Sequence, residues 1–460
     1  MTEGFLLAFV AAILVMGLRR PFLWVLLYLY VDILSPNKIG TQLLVAIPMS
    51  LIAFIAVFAG WMLFDPTKRH ARFGVRQGLI ILLLLYCLAT TYSAAFPDSA
   101  WEKWEWVWKT LLFAAFLPMT LTTRLRIESA VLFNFLALAT IVINGGVKTL
   151  FGGGGYGTLR LLIDNNSGLY ESSTIACAAI TAIPLAWWIA SHGTIFPRDW
   201  RTKAFAAGYT FAAALMPIGT SARTGLICLG VFGLLMVVQM KRRVLYGALM
   251  GVSLLIALPF LPSAFTDRMS TIGNYQSDQS ASTRVEVWKW TVGYALDNPL
   301  GGGFTAYRSN SFEFTTTNVD SDGSTAVVTE NVVIDKSRAF HSSYFEMLGE
   351  QGWIGLGLFL LIHLLGLTQM QRIKRGWRGR GAEHERWVSP LALALQQAQL
   401  IYLVGALFVG IAYQPFIMLI VGLQCALWSY ARRIESDERA QVRRARRPRI
   451  GPNADDAVTA

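Results

Sequence analysis

The sequence RAFHSSYFEMLGEQGWIGLGLFLL, residues 338–361, runs from a polar segment directly into an apolar one. In the polar half, His341 and Tyr344 have the spacing of one helix face, whereas Glu346 and Glu350 fall on another face. The apolar half is rich in glycine and carries no charge, as expected where a chain enters a membrane. The stretch therefore predicts a helix above the membrane surface that continues into a membrane-spanning helix.

The composition of the whole chain agrees with a membrane protein. Of its 460 residues, 54% are hydrophobic and 15% are charged, and the mean hydropathy is +0.47. Soluble domains carry about 25% charged residues. The opening residues MTEGFLLAFVAAILVMGLRR lack the basic region and the cleavage site of a signal peptide, so we interpret them as a first helix.

Apolar runs that approach or reach the length of a membrane span, about 20 residues, recur along the chain. The first two runs are short and could form a single hairpin. We therefore predict an all-α polytopic membrane protein with about twelve membrane-spanning helices. The runs are 5–17, 22–34, 43–64, 77–96, 107–121, 131–151, 174–190, 204–219, 224–239, 244–261, 353–370, 398–412 and 416–430.

Clusters of Lys and Arg occur in every second short loop, which is the positive-inside pattern. This pattern places the basic loops and the C-terminus in the cytoplasm. Four parts follow from it: membrane helices at 1–261, an outer loop at 262–352, further membrane helices at 353–431, and a basic tail at 432–460. We expect the tail to be disordered because it is charged and contains proline.

The loop at 262–352 is far longer than an ordinary connection. It contains a helical pattern at 283–296, a glycine-rich turn at 301–303 and a polar insert at 309–329. Long loops of mixed composition usually carry function. We therefore expect this loop, together with the segment that begins at His341, to contain the functional site.

The net charge of +12 could indicate nucleic-acid binding. Because the basic residues flank apolar runs, we expect contact with anionic membrane lipids and no nucleic acid. The four cysteines lie inside apolar runs, where they are interpreted as small buried hydrophobes. No His, Asp and Glu cluster outside the apolar runs has the spacing of a metal site, so the sequence predicts no metal and no other cofactor.

In the predicted topology, His341 is the only histidine on the outer side. An imidazole titrates near neutral pH and can take a proton from a sugar hydroxyl, which typically accelerates a reaction ~10²–10⁴-fold. The spacing leaves a second interpretation open, in which His341 caps a helix or faces solvent.

Three arginines on the predicted outer side could bind an anion. Arg223 lies in GTSARTG at a helix mouth, Arg284 begins a helical stretch, and Arg338 precedes the histidine by three residues. Guanidinium groups bind phosphate oxygens bidentately, so two converging arginines would form a diphosphate site. Taken alone, Arg223 would be a snorkelling membrane anchor and Arg284 a partner of Glu286, and the spacing does not show that they converge.

The segment WEKWEWVWK at 101–109 alternates tryptophan with charged residues. An aromatic belt at the membrane interface is the favoured interpretation, and a platform for sugars is the alternative. Lys109 is interpreted as a side chain that snorkels from a helix end.

Three motifs in the second half of the chain occur in a distinctive order. Arg284 and Trp288 lie in a helical stretch, DNPLGGGFTAY follows at 297–307, and HSSYFEMLGEQGWIGL comes after the polar insert at 341–356. In this order the chain resembles the superfamily of O-antigen ligases and polymerases. The N-terminal segments RRPF and SPNKIG are similar to those of O-glycosylation ligases associated with the exosortase system.

The resemblance implies a C-type glycosyltransferase with a helical periplasmic loop, in a bacterial inner membrane. The donor would be a glycan on undecaprenyl diphosphate, the acceptor a sugar hydroxyl of the lipid A core, and the reaction metal-independent and inverting. The resemblance assigns the catalytic role to His341 and donor binding to Arg223 and Arg284, which the nearby Arg338 would assist. The supporting residues would be Tyr344, Glu346, Glu350, Trp288, Gly301 and Gly303.

Other functions stay open. A polymerase of the same superfamily would join repeat units, and a protein O-oligosaccharyltransferase would differ only in its acceptor. A transporter of lipid-linked glycan is the alternative from another class. Transporters often carry charges at mid-membrane, whereas the middles of these apolar runs are nearly free of charge. We therefore expect an O-antigen ligase.

Overall fold

The computed structural model consists mainly of long helices. It describes residues 2–40, 43–152, 154–155, 159, 161–162, 168–239, 241–245, 247–248, 251, 266, 279–321, 326–380 and 385–445.

The first part of the chain forms helices joined by short turns. The helix Phe22–Leu34 lies at the centre of this part, where Leu27 and Tyr28 are fully buried. The ring of Tyr28 lies 4.0 Å from that of Phe113. The helices are Thr2–Arg19, Phe22–Leu34, Pro36–Ile39, Leu43–Ala46, Met49–Phe64, Val75–Tyr92, Pro97–Thr120, Arg124–Leu150, Ser172–Thr181, Ile183–His192, Trp200–Gly219 and Arg223–Gln239.

The second part contains the segments that the sequence singles out. We call Gln279–Asp297 the loop helix and Ser343–Gly376 the kinked helix. Between them lies a hairpin of two strands, Ser311–Ser321 and Ala326–Lys336. Two further helices, Val388–Gly405 and Pro415–Ala445, complete the described chain.

Among the described residues, seven helices are long and apolar enough to cross a membrane. Each predicted apolar run overlaps a helix, apart from 244–261, most of which lies outside the described residues. The prediction of an all-helical polytopic membrane protein is confirmed, while the number of about twelve spans stays a prediction. The seven are Phe22–Ile39, Val75–Tyr92, Arg124–Leu150, Ser172–His192, Ser343–Gly376, Val388–Gly405 and Pro415–Arg443.

The span predicted at 398–412 begins earlier than expected, at Val388. Glutamines interrupt the hydropathy of this region, but the amides of Gln396 and Gln399 are bonded inside the protein. Gln399 Nε2 donates to the carbonyl oxygen of His363 at 2.8 Å, and Gln424 Nε2 donates to Gln399 Oε1 at 2.9 Å. Because these polar groups are satisfied by neighbouring helices, the helix runs through them.

The prediction of a disordered tail from residue 432 was wrong for residues 432–445, which continue the helix that begins at Pro415. Charged side chains stabilise this extension. Arg432 pairs with Glu435 one turn later at 3.2 Å, and Trp377 Nε1 donates to Glu435 at 3.0 Å. Residues 446–460 lie outside the described chain.

The helical loop implied by the resemblance contains a hairpin as well as a helix, because the polar insert forms two strands. Its strands are antiparallel, and Ser311 pairs with Lys336 at the open end. Thr and Phe are frequent in the first strand and Val in the second, and these residue types favour β-structure over helix. The loop therefore combines a helix with a small sheet.

The NPLGGG turn docks on the kinked helix and fixes its direction. The helix is interrupted at Gly352, which has φ +62° and ψ −165°. One turn earlier, two of its carbonyl groups accept bonds from the glycine turn. Gly302 N donates to Gly349 O at 3.0 Å, and Gly303 N donates to Glu350 O at 2.9 Å. The loop and the kinked helix are thereby joined through their backbones.

Candidate active site

A polar cavity of about 360 Å³ lies beside the beginning of the kinked helix. We call it the site cavity. The helices Pro97–Thr120 and Ser172–Thr181 contribute to its wall, as do residues 408–410 and 414. Its charged and polar lining residues are Lys103, Glu171, Ser173, Thr174, Tyr307, His341, Glu346, Glu350 and Gln414.

His341 lies in a turn and not in a helix, so the predicted helix face with Tyr344 was wrong at this position. The helix begins at Ser343, and His341 has a left-handed backbone with φ +48°. Histidine adopts this region more readily than most residues do. The turn places the imidazole in the wall of the site cavity, where its surface is accessible although protein atoms surround much of the ring.

The backbone next to His341 is held by three bonds from Ser343. The backbone N–H of Ser343 donates to Ala406 O at 2.8 Å, and the Ser343 hydroxyl donates to Val409 O at 2.8 Å. The same hydroxyl accepts from Ile411 N at 2.9 Å. The start of the kinked helix is therefore attached to residues 406–411, which fixes the turn that carries the imidazole.

The surroundings lower the pKa of His341 below the usual 6.5. Burial of the ring contributes most, the charges of Arg284 and Arg338 act in the same direction, and Glu171 opposes them. Within the described residues, the imidazole has no hydrogen-bond partner. A neutral ring is therefore available near neutral pH to accept a proton.

Two acidic side chains of the cavity share one lysine. Lys103 Nζ lies 2.7 Å from Glu346 Oε1 and 2.8 Å from Glu350 Oε2. Backbone groups complete the arrangement, because Thr305 N donates to Glu350 at 3.0 Å and Ala412 N donates to Glu346 at 3.1 Å. Both carboxylates are thus engaged in bonds that hold the structure together, whereas the imidazole has no such bond in the part of the chain that the structure describes.

The glycines predicted to support the site allow the NPLGGG turn to approach its neighbours. Gly301 and Gly303 have φ values of +91° and +77°. A β-carbon at Gly303 would lie 2.5 Å from that of Ala94, and one at Gly301 would lie 2.5 Å from the carbonyl oxygen of Glu350. Any side chain here would displace the turn that carries Thr305.

Trp288 and Tyr344 hold the segment around the histidine. Trp288 Nε1 donates to Phe340 O at 2.8 Å, and its ring stacks on Phe345 at 5.0 Å. Tyr344 hydroxyl donates to Leu403 O at 2.8 Å. Both aromatic residues therefore act on the position of the histidine turn.

The three arginines differ in their placement. Arg284, on the loop helix, is close enough for its charge to act on His341. Arg338 forms an ion pair with Asp335 and is exposed. None of the three lines the site cavity.

Arg223 begins the helix Arg223–Gln239, as predicted. Two residues later, a β-carbon on Gly225 would lie 2.8 Å from that of Ala176, in the helix that begins at Ser172. This contact places Arg223 near the same helix end as Thr174, which lines the site cavity.

Several cavity residues were not identified from the sequence, among them Lys103, Glu171 and Gln414. Lys103 was assigned to an aromatic belt at the membrane interface. The sequence nevertheless contained a signal for this lysine. Glu346 and Glu350 lie four residues apart, just before the helix becomes apolar, and two buried acids require a cation nearby. Among the described residues, no group of three or more His, Cys, Asp or Glu could hold a metal ion.

Two family models match the chain. Residues 1–194 match a family of unknown function, DUF5935. Residues 208–360 match the family described as O-antigen ligase, and this segment includes the loop helix, the hairpin and His341. No curated protein matches the chain at a significant level. Residues 208–360 thus carry a domain of the O-antigen ligase and polymerase superfamily.

Proposed function

We propose that the protein is an O-antigen ligase of the bacterial inner membrane, with its site facing the periplasm and its C-terminus in the cytoplasm. It transfers a glycan from undecaprenyl diphosphate to a sugar hydroxyl of the lipid A core. The observation that carries this proposal is the imidazole of His341. It lines a polar cavity within reach of the Arg284 charge, in the segment matched by the ligase family.

In this reaction the acceptor hydroxyl gives its proton to His341 and attacks the anomeric carbon of the donor. The bond from that carbon to the diphosphate oxygen breaks, and the diphosphate leaves with the electron pair. Attack opposite the leaving group inverts the anomeric centre. The lowered pKa of His341 suits the role, because the base has to be neutral before the attack.

The leaving group gains negative charge as its bond breaks. The charge of Arg284 acts on His341, and Arg223 begins a helix that packs on the Ser172 helix, whose residue Thr174 lines the cavity wall. Guanidinium groups placed on both sides of the diphosphate would stabilise this charge without a metal. Arg338, held by Asp335, would contribute to the electrostatic field from a greater distance.

Glu346 and Glu350 are less suited to be the base. Each carboxylate bonds Lys103 and a backbone N–H, so protonating either one would break an ion pair. Their part in the reaction is to hold the wall of the cavity next to His341.

The test is transfer by the purified full-length protein in lipid vesicles, with undecaprenyl-diphosphate-linked glycan and lipid A-core as substrates. We expect the His341→Ala variant to lose about 10²–10⁴-fold in rate. The matched control is His70→Ala, an exposed histidine in the turn Pro66–His70. Wild-type transfer rates in His341→Ala would disprove the catalytic role.

The identity of the acceptor distinguishes the possible functions within the superfamily. Offering lipid A-core, lipid-linked repeat units and an acceptor protein to the same vesicles separates ligase, polymerase and protein oligosaccharyltransferase. In cells without the chain, accumulated carrier-linked polymer supports the ligase, whereas carrier-linked single repeats support a polymerase.

A further inference from the structure

A second cavity of about 500 Å³ adjoins the site cavity. We call it the second chamber. Gly168 and Gln414 line both spaces, so the two are neighbours. Gly168 has φ +61°, and a β-carbon on it would lie 3.0 Å from Lys38 Nζ. A side chain at this position would therefore narrow the boundary between the two spaces.

Most residues that line the second chamber belong to the segment 1–194, which matches the family of unknown function. Apart from residues 414–416, its lining residues lie between Val31 and Leu169, within the matched segment 1–194. None comes from the ligase-family segment 208–360. The chamber is thus a separate contribution of the N-terminal part to the region of the site.

The lining of the second chamber carries charges of both signs, with Asp32 and Glu105 beside two lysines, and the charge of Lys109 acts on Asp32. Lys38 and Lys109 both line it, and within the described residues neither ammonium group has a hydrogen bond or an ion pair. Asp32, which accepts from Ser50 at 3.0 Å, can also accept from sugar hydroxyls. Trp106 is 38% exposed and offers an aromatic surface to a sugar ring.

We propose that the second chamber binds the acceptor glycan, with Lys38 and Lys109 holding a phosphate or carboxylate substituent. This inference rests on the proposed transfer reaction and extends it to the acceptor. The volume of the chamber lies in the usual range for a ligand site, and its charged and aromatic side chains suit a sugar. A glycan in the chamber would extend past Gly168 to present a hydroxyl to His341.

Direct binding tests the proposal independently of catalysis. The probe is phosphorylated core oligosaccharide released from lipopolysaccharide, titrated into the full-length protein, with the dephosphorylated oligosaccharide as a comparison. We expect each of Lys38→Gln and Lys109→Gln to weaken binding of the phosphorylated probe roughly tenfold, because each removes one charge-assisted hydrogen bond. The matched control is Lys289→Gln on the loop helix, which should bind as the wild type does.

Transfer assays then separate the two hypotheses. A rise in acceptor KM with donor KM unchanged in the lysine variants supports the second chamber as the acceptor site. Unchanged probe binding in both variants, or a rise in donor KM alone, overturns it. If the wild type binds the probe through these lysines but transfers no glycan, the proposed function fails and the binding site stands.

Discussion

The ion cluster of Lys103 allows a quantitative test of how the site is held together. We consider the substitution Lys103→Met, which keeps the length of the side chain and removes its charge. The side chains of Glu346 and Glu350 are only 11% and 1% exposed, so both carboxylates would lose their counter-ion in a buried place. Removal of one partner from a buried ion pair costs about 3–5 kcal/mol.

The lower end of this range applies here, because the backbone bonds from Thr305 and Ala412 remain. We therefore expect Lys103→Met to lower the free energy of unfolding by about 3 kcal/mol. Adding Glu346→Gln and Glu350→Gln to the same variant should restore most of the loss, since no unpaired charge then stays buried.

Lys289→Met is the matched control for this substitution. Lys289 pairs with Glu286 at 2.9 Å, but the two side chains are 69% and 47% exposed. An exposed pair is worth about 0–1 kcal/mol. The assay is unfolding of the full-length protein in detergent, titrated with sodium dodecyl sulfate and followed by tryptophan fluorescence. Equal stabilities of Lys103→Met and Lys289→Met would refute the argument that the cluster supports the fold.

Two further predictions concern the charge around the histidine and the glycine turn. Arg284 lowers the pKa of His341, and Glu171 raises it. Arg284→Gln should therefore move the acidic limb of the pH–rate profile to higher pH, and Glu171→Gln should move it to lower pH. If both variants shifted the limb in the same direction, the result would contradict this electrostatic account. Gly303→Ala should destabilise the protein by about 2 kcal/mol or more in the same unfolding assay, because its φ is +77° and the new methyl group would meet Ala94. Gly357→Ala, which meets no atom within 4 Å, should be neutral or slightly stabilising.

The membrane helices could be predicted because hydropathy depends on the local sequence. The runs at 22–34 and 204–219, for example, end where the helices Phe22–Leu34 and Trp200–Gly219 end. The run at 398–412 was predicted to begin ten residues too late, because Gln396 is polar by composition and yet donates to the carbonyl oxygen of Leu367 in another helix. Hydropathy does not register a bond between residues distant in sequence.

The candidate site likewise contains residues that the local sequence predicts and residues that it does not. The motif around His341 could be recognised from adjacent residues, and so could the acids that follow it. Lys103 could not, because its contact with Glu346 joins residues 243 positions apart. The left-handed turn at His341 was also hidden, since a helical spacing in the sequence does not state where the helix begins.

The two matched segments form one structural site, although separate family models describe them. Residues 1–194 supply Lys103 and Glu171, and residues 208–360 supply His341, Glu346 and Glu350. Without the N-terminal segment, the carboxylate of Glu350 would have no cation, and the cavity would lose the wall opposite the imidazole. A buried carboxylate without a counter-ion costs several kcal/mol, which is a large fraction of the stability of an ordinary domain. In this chain, the segment 208–360 therefore relies on residues 1–194 for the counter-ion of its buried acids and for part of the wall of the site cavity.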